Sequence, residues 1–224
     1  MKKTISYLIL CLLIPITILL GTTVFGGKQY AFFTIAVAVF SCLPMFIAFE
    51  KKDHGTTQLI LIAVLTALSV LGRFLFVMLP AFKPVTAMAI ITALYFGPEA
   101  GFMTGALTAV ISNFYFGQGP WTPFQMFAFG MLGFFAGLLS KPLKKSRLLL
   151  LGYGVLAGVF YSLVLDVFSA LWQDNLFSWA RYAAMLVSSL PMTAVYAVSN
   201  VIFLLLLEKP VGEKLSRIKT KYGI

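Results

Sequence analysis

The chain has 224 residues, 60% of them hydrophobic and 11% charged, with a formal net charge of +10. A soluble domain carries about 25% charged residues, and the polar stretches here are too short to hold one between the apolar runs, so the composition describes a polytopic membrane protein. The basic excess does not indicate nucleic acid: thirteen of the seventeen Lys and Arg fall at sites that alternating topology assigns to one side, as the positive-inside rule requires.

The first apolar run, Ile5 to Phe25, follows Met-Lys-Lys but lacks a small-residue cleavage site, and reads as a retained helix rather than a signal peptide. A second predicted helix covers about 31–49, so residues 1–50 form two N-terminal transmembrane helices. Cys11 and Cys42 lie inside these spans and read as small apolar residues rather than a disulfide framework. The polar loop Glu50 to Thr57 contains the only histidine, His54, which has no Cys or His neighbours to make a metal site.

Six further helices are predicted at about 58–79, 84–97, 100–116, 122–139, 148–172 and 182–207, giving a six-helix core over 57–208 and a basic cytoplasmic tail over 209–224. The pair 84–97 and 100–116 is separated only by Gly97-Pro98-Glu99 and is short enough to read either as two crossings or as one re-entrant hairpin. With both termini cytoplasmic, the basic loops lie inside and the polar residues of the spans cluster toward the outside.

Small residues recur four apart in the inner halves of the core helices: Ala63/Ala67, Gly101/Gly105, Gly133/Gly137 and Gly154/Gly158. Such pairs let helix backbones approach closely. The glycine pairs are expected to pack within the bundle, whereas Ala63 and Ala67 fit either an internal contact or an outward face for a partner's helix.

The outer half carries the chemistry. Arg73 is predicted roughly 9 Å below the outer end of its helix, and Asp166 lies at a similar depth. They fit a structural ion pair or direct contacts with a polar ligand. Asn113 and Gln125 share that depth, and Trp121, Trp172 and Trp179 all fall on that side. The loop Phe114-Tyr115-Phe116-Gly117-Gln118-Gly119-Pro120-Trp121-Thr122-Pro123-Phe124-Gln125 alternates aromatic faces with amides, which suits a flat, partly polar organic ligand. An interfacial aromatic belt explains tryptophans without a ligand, but a belt populates both sides. Lys83, Asp174, Asn175 and Arg181 complete the outer polar set. No P-loop, H-E-x-x-H or G-x-S-x-G motif occurs, nor a cluster of membrane carboxylates. A binding protein fits better than an enzyme or a self-powered pump.

The Ala63-x-x-x-Ala67 pair, the Lys83-Pro84-Val85-Thr86 stretch and the Gly117-to-Gln125 loop continuing to Gly137-Leu138-Leu139 resemble the substrate-binding S-component of energy-coupling factor (ECF) transporters, most of all its cobalamin type. The resemblance spans about Gln58 to Leu207. It implies an all-α bundle in the plasma membrane that captures a vitamin, here cobalamin or a related corrinoid, from outside. It also implies three partner subunits: a transmembrane coupling subunit, contacted through Ala63 and Ala67, and two cytoplasmic ATPases that consume the ATP. The expected ligand-contacting set is Arg73, Lys83, Asn113, Tyr115, Gln118, Trp121, Gln125, Asp166, Trp172 and Trp179. An S-component for another vitamin or heterocycle, a stand-alone secondary carrier and a structural membrane subunit are the competing readings.

Overall fold

The computed structural model describes residues 39–40, 42–43, 45–47, 49–50, 55–174 and 178–223. The first N-terminal helix, Cys11, His54 and Asn175 lie outside them, as does the side chain of Asp174. From residue 55 onward, the described regular structure is helical: α1 (Thr56–Leu75), α2 (Val85–Phe96), α3 (Pro98–Phe116), α4 (Trp121–Leu138), α5 (Ser140–Lys145), α6 (Arg147–Asp174) and α7 (Trp179–Tyr222). Thr56–Leu75, Arg147–Trp172 and Trp179–Tyr222 are long and apolar enough to cross a membrane.

The short helix α2 is the centre of the bundle. All of its residues except Tyr95 are buried, and its apolar residues are spread around the axis rather than along one stripe, as a helix surrounded by others requires. It packs on α1, α3, α4 and α7. At its end Gly97 adopts φ +93°, a left-handed conformation open to glycine, and Pro98 begins α3 directly. The expected break at Gly97-Pro98-Glu99 is therefore present, between a short central helix and a longer one.

The glycine pairs are packing surfaces. A methyl group on Gly101 would meet the Ala93 side chain and the Gly133 carbonyl, and one on Gly133 would meet the Gly101 carbonyl. A side chain on Gly105 would strike the Phe129 carbonyl, and one on Gly137 would strike Pro98. Thus α3 and α4 lie backbone to backbone, which gains dispersion contacts that lipid cannot supply. On α6, Gly158 faces the backbone of Ala197 and Gly154 faces Leu204 and Asn200. The Asn200 amide also donates to the Gly154 carbonyl at 3.0 Å.

Two boundaries differ from the sequence expectation. Helix α1 stops at Leu75, where Phe76 N–H caps the Gly72 carbonyl, and a run of turns follows to Phe82. The run Phe74 to Leu79 is apolar, and hydropathy does not mark where a helix ends. Consequently Arg73 sits in the last turn of α1. At the other end α7 continues through Pro210 to Tyr222 and covers the expected tail. This extension buries Gly212 and Leu215, with Val211 packed on the core. Lys219 Nζ donates to the Tyr95 carbonyl at 2.8 Å, placing a cation at the C-terminal end of α2. Lys144 of α5 lies 4.2 Å from the Tyr95 ring centre. Burial, and then Lys219, lower the Lys144 ammonium below the ordinary lysine value.

The described part of the second N-terminal helix rests on α3 and α4. Cys42 and Met45 are buried with Phe102, Ala106 and Phe134, and the Phe46 ring meets Phe102 edge-on at 6.1 Å. This contact leaves Ala63 and Ala67 of α1 exposed, beside exposed Val64, Leu68 and Leu71.

Candidate functional site

A cavity of about 140 Å³ opens where α1, α2, α4, α6 and α7 meet. Its lining is Arg73 from α1, Ala81 and Lys83 from the α1–α2 loop, Val85 and Thr86 from α2, Gln125 and Phe129 from α4, Tyr161 from α6, and Tyr196 and Asn200 from α7. Tyr196 lies about 24 Å along α7 from Gly212, which packs on Tyr95 at the basic end, taking about 1.5 Å per residue. The cavity therefore belongs to the end of the bundle opposite the basic one, as the distribution of polar residues in the sequence suggests.

One wall is aromatic. Phe129 stacks on Tyr161 at 4.3 Å between ring centres and 20° between planes, and Tyr161 meets Tyr196 edge-on at 4.8 Å. Ring faces of this kind accept a flat heterocycle by stacking. The lining also carries two cations. The Arg73 guanidinium carbon is 4.9 Å from the Phe116 ring centre and the Lys83 ammonium is 5.4 Å from the same centre. Cation–π attraction holds both groups over one ring, and Arg73 also donates to Ser112 Oγ at 2.5 Å. Burial, followed by the neighbouring Arg73 charge, lowers the Lys83 ammonium below the ordinary lysine value.

The loop that carries Lys83 is held in a defined shape. Ala81 adopts φ +61°, unusual for a residue with a side chain. Pro84 packs so closely on Gly72 that a β-carbon there would overlap the Pro84 ring.

Of the ten expected ligand-contacting residues, Arg73, Lys83 and Gln125 line the cavity. Asn113 stands behind them: its amide nitrogen donates to Gln125 Oε1 at 2.8 Å and to Thr122 Oγ1 at 2.9 Å, which orients Gln125. Its own carbonyl oxygen is buried without a hydrogen-bond partner. Gln118 closes the α3–α4 turn, with its amide donating to the Val110 carbonyl at 2.8 Å and its oxygen accepting from Thr122 at 3.0 Å. Tyr115 is exposed and packs on Phe74. Trp121 lies over Gly119, Trp172 stacks on Phe168, and Trp179 is 77% exposed, so no tryptophan lines the cavity.

The Arg73–Asp166 ion pair does not form. Asp166 is about 8 Å further along α6 than Tyr161. Its Oδ2 accepts from Ser189 at 2.6 Å and from Ser162 at 3.5 Å, which joins α6 to α7 above the cavity.

Sequence reasoning missed Phe129, Tyr161, Tyr196 and Asn200, and marked Thr86 only as part of the Lys83-to-Thr86 stretch. Asn200 was discoverable, being an amide inside an otherwise apolar span. The two tyrosines were not, because a tyrosine in an apolar run reads equally well as core.

No curated protein and no solved structure matches the chain. Residues 54–212 match the family of the ECF-type riboflavin transporter S component, a match that begins at the polar stretch before α1 and reaches the extension of α7 beyond Pro210. A match over most of the chain, on a helical bundle with a polar, aromatic-lined cavity, places this protein in the S-component family of ECF-type riboflavin transporters.

Proposed function

We propose that this S component binds riboflavin in the cavity between α1, α2, α4, α6 and α7. S components are substrate-binding transport subunits rather than enzymes, and they work in a lipid bilayer with a transmembrane coupling subunit and two ATPases. The observation that carries the flavin reading is that Phe129, Tyr161 and Tyr196 line one cavity together with the polar groups of Gln125, Thr86 and Asn200. Stacked rings suit a tricyclic heterocycle, and the amides and hydroxyl suit its carbonyls and polyol chain. The family match names riboflavin, whereas the sequence resemblance points to cobalamin. A corrinoid is a much bulkier macrocycle with amides around its rim; a cavity of about 140 Å³ is below the usual size for an organic ligand, so it has to open for either ligand, and further for a corrinoid than for a flavin.

The exposed Ala63 and Ala67 face of α1 is the proposed docking surface for the coupling subunit, because two small residues one turn apart let a partner helix approach closely. With the basic end of the bundle in the cytoplasm, both termini lie inside and the cavity faces outward.

The test uses flavin fluorescence and corrinoid absorbance on the detergent-purified chain. Riboflavin emission quenched at one equivalent per protein supports the reading. Retention of cobalamin with no effect on riboflavin emission replaces the substrate while leaving the family assignment in place.

A further inference from the structure

The cavity holds two cations and, among the described residues, no carboxylate lines it. Arg73 and Lys83 both line it and sit against the same Phe116 ring, at 4.9 and 5.4 Å, so two like charges are held near one another. Asp166, the nearest acidic residue to Tyr161 along α6, is taken up by Ser162 and Ser189 and makes no ion pair with Arg73. Two like charges held together inside a membrane bundle are costly unless an opposite charge joins them. An uncharged flavin offers such a pair only carbonyl and hydroxyl acceptors. An oxyanion offers charge-assisted bonds to both: a guanidinium suits a planar oxygen pair and an ammonium a single oxygen.

We propose that the ligand presents an anionic group to Arg73 and Lys83, so that the preferred flavin is its phosphate monoester rather than the uncharged alcohol. The inference rests on the flavin reading above and adds to it the charge of the substrate. The aromatic wall takes the ring system in both cases. Arg73 and Lys83 decide between the alcohol and the ester.

The experiment measures equilibrium binding of riboflavin and riboflavin 5′-phosphate to the full-length purified chain in a neutral detergent, at low and high salt. The expected result is an ester affinity at least tenfold above that of riboflavin, with the ratio falling as salt rises. Lys83→Gln should reduce that ratio severalfold and Lys83→Arg should restore it, a rescue that a purely structural role for this loop residue does not predict. Riboflavin binding as tightly as its ester, with a ratio insensitive to salt, overturns the inference and leaves the flavin reading intact. Failure of both flavins to bind a folded chain overturns both. The two failures are therefore distinguishable.

Discussion

A single hydroxyl on α7 fastens both backbone polar groups of Lys83: the Lys83 N–H donates to Ser199 Oγ at 2.9 Å, and that hydroxyl donates to the Lys83 carbonyl at 3.2 Å. The loop between α1 and α2 thus lines the cavity and is anchored to the last helix of the chain. Every other cavity-lining residue sits on a helix except Ala81, which belongs to the same loop. This clasp sets where the Lys83 ammonium can stand.

Ser199→Ala removes both bonds and leaves a part-buried N–H and carbonyl without partners. The expected cost is about 1–3 kcal/mol in holding the loop. Bound flavin should dissociate roughly ten- to hundredfold faster, since about 1.4 kcal/mol corresponds to a factor of ten. Stopped-flow recovery of flavin fluorescence checks this. An unchanged dissociation rate would show that the loop does not retain the ligand.

Glycine-to-alanine replacements should change sign with position. At Gly105 the added carbon meets the rigid Phe129 carbonyl, so Gly105→Ala should destabilise by about 3 kcal/mol or more. At Gly152 nothing lies within 4 Å, so Gly152→Ala should stabilise by up to about 1 kcal/mol through helix propensity. Thermal melts of the two variants in one detergent compare them directly. Equal effects would argue against close backbone contact between α3 and α4.

Much of this architecture was legible in the chain, for reasons that also explain the gaps. Helix starts were found near their true positions because Pro98 and the Gly117-to-Pro120 turn interrupt the apolar pattern with residues that constrain the backbone. The end of α1 was missed because Phe76 to Leu79 stays apolar while the chain turns. The outward face of Ala63 and Ala67 was one of two readings of the same pattern, and only packing of α1 on α2 and α3 selects it. Within the site, a charge and an amide at membrane depth led to Arg73 and Gln125, and Lys83 stood among the outer-loop charges. Tyr161 and Tyr196 were hidden because aromatic residues in a hydrophobic span carry no mark of function, and meeting across a cavity is a property of two helices together.

The positive φ of Ala81 gives a further expectation. A side chain in that conformation costs about 1–2 kcal/mol, part of which glycine returns as chain entropy in the unfolded state. Ala81→Gly should therefore leave the melting temperature unchanged or slightly raised. Ala81→Val should lower it and weaken flavin binding, because a β-branched residue is poorly accommodated at φ +61° beside the cavity. Flavin titrations paired with melts of both variants test the two parts separately.

Binding and coupling should separate on α1. Replacing Ala63 and Ala67 with leucine adds bulk to an exposed surface and nothing to the cavity. Flavin affinity of the isolated chain should stay within about twofold, while assembly with the coupling subunit should be lost, a close helix contact being intolerant of added side-chain volume. Co-purification of the complex gives the answer. A complex that forms normally would move the docking surface elsewhere.

The most direct test of the whole account is uptake of labelled flavin by proteoliposomes holding this chain with or without a coupling subunit and two ATPases. The account predicts accumulation only when all subunits and ATP are present, and none by the chain alone under an ion gradient. Gradient-driven uptake by the chain alone would contradict it and identify a self-sufficient carrier.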